Sequence, residues 1–262
     1  MIEKKKRPYN ISPPQQIILI FILFILIGSI LLALPLASTD GNSIGWLDAL
    51  FMATSAVCVN GLVVVDPGST FSTFGQIILM ILIQIGGLGF MTLGVLIAVL
   101  FGRRIGLKQR LVLQQTTQST TNQGLIKLTL YIFFIALSFE IIGSIILTFR
   151  WMDDMALGQA VYSAIFHSIS AFNNAGFSLW PNSLSSYVND PIINFTIVIL
   201  FVSGGLGYLV IVEIFQRRSW RKFSLHTKIV LISSIILLAS GFLLLLLLES
   251  WNAATFGQLT LG

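Results

Sequence analysis

Asp48-Ala-Leu-Phe-Met-Ala-Thr-Ser-Ala-Val-Cys-Val-Asn-Gly-Leu62 and Ser163-Ala-Ile-Phe-His-Ser-Ile-Ser-Ala-Phe-Asn-Asn-Ala-Gly-Phe177 are two versions of one segment. Without a gap, Ala49 falls on Ala164, Phe51 on Phe166, Ser55 on Ser170, Ala56 on Ala171 and Gly61 on Gly176. Each segment leads through a polar loop into an apolar stretch with the same motif, Gly86-Gly-Leu-Gly89 and Gly204-Gly-Leu-Gly207. Self-similarity of this kind marks a chain built from repeated units. The first unit covers 15–102 and the second 124–216, after a basic tail at 1–14. Polar linkers at 103–123 and from 217 onward separate them from each other and from an incomplete third unit, which ends at Gly262.

Around the repeated segment, the chain is written for lipid. Of its 262 residues 55% are hydrophobic and 10% charged, against about a quarter charged in soluble domains. Mean hydropathy is +0.91. Ile17–Leu36, Ile77–Phe101, Leu125–Phe149, Ile192–Phe215 and Ile229–Leu248 are long apolar runs, each near the ~20 residues a spanning helix needs. Trp46–Val59 and Ala160–Phe172 are apolar but too short to cross, a length that suits re-entrant or interfacial helices or buried core helices. The fold class expected is an all-α integral membrane protein of parallel helix–pore-loop–helix repeats around a central pore. A signal peptide is the rival for the first run, whose apolar core exceeds the ~7–15 residues of a signal sequence.

Charge sets the orientation. With the N-terminus in the cytoplasm, Lys4, Lys5, Lys6, Arg7, Arg103, Arg104, Lys108, Arg110, Lys127, Arg217, Arg218, Arg221, Lys222 and Lys228 fall inside, and Arg150 outside. That follows the positive-inside rule and explains the pI of 9.6 without a nucleic-acid partner; the partner is membrane lipid. Two full spans per unit make successive units parallel, related by an axis along the membrane normal, unlike the inverted repeats of many carriers. The lone Cys58 excludes an intrachain disulfide and a multi-cysteine metal site. No Walker loop, dinucleotide fingerprint or nucleophile–base pair is present, so no enzyme is expected.

The physics of a half-length helix then points to a cation. Entering from outside, its C-terminal end carries unsatisfied carbonyls and partial negative charge into the membrane. The chain must turn sharply after it, and Gly61 and Gly176 permit positive φ. Backbone carbonyls of Val59, Asn60, Gly61 and Leu62, and of Asn174, Ala175, Gly176 and Phe177, are the candidate ion ligands, since rings of carbonyls replace an ion's hydration shell. Asp48 is read as stabilising the first turn of its helix, Cys58 as a small buried packing residue, and Asn173 as bracing the loop. Ser55 and Ser170 are supporting residues, and the GGLG glycines serve close helix packing. Glu213 pairs with Arg217 one turn on, His167 packs or hydrogen-bonds, and Glu140 lies deep in a span with no partner assigned.

Taken together, Thr54-Ser-Ala-Val-Cys-Val-Asn-Gly-Leu-Val-Val-Val-Asp66, Ser170-Ala-Phe-Asn-Asn-Ala-Gly-Phe-Ser178 and the two GGLG stretches resemble KtrB-type potassium uptake subunits of the Ktr/Trk/HKT cation transporter superfamily. The resemblance covers nearly the whole chain from the first span onward. It implies a bacterial plasma-membrane protein with four units around one pore, each contributing one filter glycine. It implies passage of potassium ion, with sodium dependence in some members, and no organic cofactor. It further implies homodimers in the full-length form, gated by a KtrA-like cytosolic nucleotide-binding ring. This chain carries two of the four filter segments and lacks the third unit's second helix, where the family places its gating loop. It also lacks the fourth unit's pore-lining arginine. The expectation is a chain interrupted within its third unit or completed by another polypeptide. A non-conducting structural subunit and a secondary cation carrier are the alternatives.

Single cysteines at positions 40 and 153 should react with a membrane-impermeant thiol reagent from outside, and those at 108 and 221 only after permeabilisation. Reaction of all four from one side would refute the five-span topology.

Overall fold

The computed structural model describes residues 13–89 and 122–250. Among them regular structure is helical, apart from an isolated bridge between Ser38 and Phe71. The principal helices are α1 (Pro13–Leu32), α2 (Trp46–Cys58), α3 (Thr73–Leu88), α4 (Asn122–Trp151), α5 (Leu157–Phe172), α6 (Pro191–Gly205), α7 (Tyr208–Arg217) and α8 (Leu225–Glu249). The chain divides into two compact parts, Met1–Gly205 and Leu206–Gly262.

In the larger part, the order long helix, half-length helix, loop, helix occurs twice, as α1–α2–α3 and α4–α5–α6. Small residues let the helices approach. A Cβ at Gly28 of α1 would strike the Leu82 side chain at 2.7 Å, and one at Gly143 of α4 would strike Leu200 at 2.7 Å. Leu32, Ala49, Met52, Ala53, Leu79 and Ile83 are fully buried between α1, α2 and α3. Leu147, Trp151, Ala160, Ala164 and Ile193 form the second cluster, between α4, α5 and α6.

The outward faces are apolar, as in a protein whose solvent is lipid. Phe149, Phe195 and Leu248 are 70%, 68% and 73% exposed. Leu130–Trp151 and Leu225–Glu249 are each long and apolar enough to cross a membrane. The protein is therefore an all-helical membrane protein. At the expected outer end of α4, Arg150 meets Asp154 at 3.2 Å and also pairs with Asp190. Asp190 in turn accepts from the Ile193 N–H at 3.1 Å, capping α6.

Two of the other apolar runs are interrupted rather than continuous helices. Ile192–Phe215 is not one helix: α6 stops at Gly205, and α7 starts after Gly207, whose φ of +85° a helix cannot accommodate. Gly89 has φ +74° and likewise ends α3. The second half of the Ile77–Phe101 run, the 103–121 stretch with its basic residues, the N-terminal tail and the last residues from 251 lie outside the described residues.

In the smaller part, Glu213 explains how α8 begins. Its carboxylate accepts from the Ser224 N–H at 2.7 Å and hydroxyl at 2.6 Å, and from the Thr227 hydroxyl. Arg217 pairs with the same carboxylate at 2.9 Å, so the ion pair read from the sequence exists within a larger cap.

Glu213→Ala should destabilise the detergent-solubilised protein by about 1–3 kcal/mol for lost charge-assisted hydrogen bonds, read as a lower unfolding midpoint. An unchanged midpoint would show that the cap contributes nothing.

Candidate functional site

Both half-length helices end in the same way. The backbone N–H of Val59 bonds to the Ala56 carbonyl and that of Asn174 to the Ala171 carbonyl. One residue later, Asn60 donates to the Ser55 carbonyl at 3.0 Å and Ala175 to the Ser170 carbonyl at 2.7 Å. Val59 and Asn174 both have φ +57°, and Gly61 and Gly176 have +72° and +71°. Asparagine tolerates the left-handed region, whereas a β-branched valine there is a genuine outlier, strained by about 1–2 kcal/mol. The structure therefore holds Val59 against its own preference.

Backbone approach holds it. A Cβ at Gly86 would lie 2.2 Å from the Val57 carbonyl oxygen, and one at Gly204 would lie 1.7 Å from that of Phe172. The GGLG motif thus does two things: its first glycine packs against the end of the half-length helix, and its last ends the helix that carries it. The two turns also meet each other. A Cβ at Gly61 would be 2.7 Å from the Ala175 carbonyl oxygen and 3.2 Å from the Gly176 Cα. Gly61, Val63, Asp66, Gly176, Ser178 and Trp180 border a cavity of about 230 Å³ beside this contact.

The supporting residues behave differently in the two segments. Ser170 donates its hydroxyl to the Phe177 carbonyl at 2.7 Å, closing the second turn. The Ser55 hydroxyl is buried without a partner among the described residues. Phe177 and Ala175 are buried, whereas Leu62 is 62% exposed and Asn60 is exposed. Asp48 sits in the first turn of α2, behind an N-cap Gly45 that supplies no side chain. Cys58 corrects the sequence reading: it is exposed rather than buried. It occupies the position where α5 is followed by the buried Asn173.

Asn173 and Asn174 both use their side chains to brace the loop. With its amide oriented to match its neighbours, Asn174 donates to the Phe201 carbonyl at 3.0 Å and accepts from the Gly205 N–H at 3.1 Å. Asn173 donates to Gln84 at 3.0 Å, to Glu140 at 3.1 Å and to the Ile169 carbonyl at 2.9 Å. His167 is held between the Ser163 carbonyl at 2.8 Å and the Ser178 hydroxyl at 3.1 Å, stacked on Trp180.

Gln76, Asn194 and Gln84 were assigned no role at the site from the sequence. Gln76 donates to the carbonyls of Pro67, Gly68 and Phe71 and accepts from the Tyr162 hydroxyl at 2.8 Å. Asn194 repeats the clamp on Tyr187, Val188 and Asp190. Gln84 joins Glu140 at 2.9 Å. An amide recurring within an otherwise apolar helix, as Gln76 and Gln84 do in α3, is the signal that would have found them. Among the described residues no group of three or more His, Cys, Asp or Glu side chains forms a metal cluster.

The cation transport protein family TrkH matches residues 3–259. Ktr system potassium uptake protein B of Bacillus subtilis is 45% identical over 95% of this chain and 55% of the relative. The protein of the same name from Vibrio alginolyticus is 45% identical with the same coverage. Potassium/sodium uptake protein NtpJ of Enterococcus hirae is 36% identical, again over 95% of this chain and 55% of its own length. The chain spans about half the length of the curated relatives it matches.

Gly204→Ala should lower the unfolding midpoint well below that of Gly158→Ala. Gly158 has open space around its Cβ and lies in α5, where alanine is favoured by about 0.5–1 kcal/mol. Equal midpoints would mean that the Phe172 carbonyl does not press on α6.

Proposed function

The chain belongs to the TrkH family of cation transport proteins, and on that premise we propose that it carries potassium across a bacterial plasma membrane. In this reading 58–63 and 173–178 are two segments of a selectivity filter. The observation that carries the reading is the pair of matched left-handed turns, at Val59 and Gly61 and at Asn174 and Gly176, which follow two half-length helices and meet each other. Backbone strain of this kind persists only where surrounding structure over-determines it, and it collects at ligand sites.

The mechanism follows from the two helix ends. Each brings partial negative charge into a region of low dielectric, and the turn beyond it presents carbonyl oxygens that substitute for water around a dehydrated ion. The ion is substrate, not cofactor. Potassium is favoured because the Bacillus and Vibrio relatives are named for potassium uptake; the Enterococcus relative is named for potassium and sodium, and sodium is the competing ion. Anion passage is disfavoured because neither turn carries a basic residue.

The wider assembly belongs to the same proposal. Units at 15–102 and 124–216 lie in parallel, with the N-terminus and the linkers cytoplasmic, and further units complete the ring of carbonyls. The assembly is a homodimer that answers to a cytosolic nucleotide-binding ring. The basic residues assigned to one side and the relatives named as components of a Ktr system support this arrangement.

Gly61→Ser, made in the whole native gene, should relax discrimination between rubidium and sodium in uptake assays by about tenfold or more, or abolish uptake. The substitution sets a side chain against a φ of +72° and against the Ala175 carbonyl. Wild-type discrimination in a normally abundant variant would remove Gly61 from the filter.

A further inference from the structure

Glu140 is a carboxylate buried to 5% exposure in the middle of a membrane-crossing helix, and no described lysine, arginine or histidine forms an ion pair with it. Ionisable groups at membrane depth are costly and are retained for function. Its Oε1 accepts Gln84 Nε2 at 2.9 Å and Asn173 Nδ2 at 3.1 Å, while Asn173 also reaches Gln84 Oε1 at 3.0 Å. The three side chains come from α3, α4 and the turn after α5, so they join the two repeats directly behind the second turn. The Asn173 amide is wedged there by the absence of a side chain at Gly87, where a Cβ would lie 1.9 Å from Asn173 Oδ1.

This trio is not part of what the repeats share. Where Gly61 pairs with Gly176 and Gly28 with Gly143, Glu140 falls on Ile25 and Asn173 on Cys58; where Gly86 pairs with Gly204, Gln84 falls on Val202. The two repeats use matching glycine contacts and matching φ values at their turns, yet among the described residues a closed polar triangle forms behind the second turn and not behind the first. Packing alone is served elsewhere by apolar residues, so the triangle does something that packing does not require. Asn173 immediately precedes Asn174, the residue at φ +57°. Three acceptors gathered around the Asn173 Nδ2 hold the residue from which the second turn departs.

We infer that Glu140 is a positioning residue for the second filter segment, acting through its acceptor oxygen on Asn173 and Gln84 to set ion discrimination at that segment alone. The inference rests on the filter reading proposed above. Because the acceptor rather than the charge is what both amides contact, glutamine can replace it and leucine cannot.

The test compares Glu140→Gln, Glu140→Leu and Gln84→Leu in the whole native gene. Rubidium uptake is measured against rising sodium, together with membrane abundance and unfolding midpoint. Glu140→Gln should keep the rubidium-to-sodium ratio within about twofold. Glu140→Leu and Gln84→Leu should each lower that ratio by about tenfold, the scale of one lost hydrogen bond. Gln84→Leu keeps the experiment decisive if Glu140→Leu fails to accumulate. Leucine variants that change abundance or maximal rate but not the ratio would overturn the inference, as would a glutamine variant as impaired as leucine. Gly61→Ser separates the two readings. If it relaxes the ratio while the leucine variants do not, only the role of Glu140 falls; if it leaves the ratio untouched, the filter reading falls with it.

Discussion

The contact of Gly204 with the Phe172 carbonyl, and of Gly86 with that of Val57, governs much of the larger part of this molecule. A helix that stops inside an apolar layer leaves carbonyl groups that neither lipid nor water satisfies. Bringing another helix's backbone against those ends shields them, and only glycine allows the approach. From that contact follow the length of α2 and α5, the left-handed residues beyond them, and the positions at which α3 and α6 must end. The strain at Val59 is stable because the chain on either side is already fixed.

Amide side chains finish what the glycines begin. Gln76 and Asn194 each take three carbonyls from the loop before their helix, and Asn174 ties its turn to α6. Gln84, Glu140 and Asn173 do the same across the junction between repeats. Burial of such groups is tolerated because most of their polar atoms find partners. Among the described residues Ser55 Oγ, Trp151 Nε1, Ser168 Oγ and Asn173 Oδ1 are buried without one; the first and last of these lie beside the two turns.

Much of this was legible in the sequence, for reasons that can be named. The half-length helices were visible because an apolar stretch too short to cross is distinguishable from one that spans. The two turns were visible because glycine at 61 and 176 recurred at one register. The break in the apolar run at 192–215 was not, because hydropathy counts side chains and is blind to the φ of Gly207. Exposure at Cys58 was missed because a small apolar residue is buried by default, and its setting depends on what lies across the junction. Glu140 had no visible partner because Gln84 and Asn173 lie 56 and 33 residues away in sequence.

The clamp at Gln76 also has a history in time. Its acceptor oxygen waits for the Tyr162 hydroxyl, 86 residues downstream. At about 5–20 residues per second of synthesis, that interval is on the order of ten seconds. Throughout it the first loop exists in the membrane with Gln76 answered only on its donor side, and water or lipid headgroups must stand in for a tyrosine not yet made. The first repeat therefore inserts as a provisional structure, and its loop reaches final form when the second repeat arrives beside it.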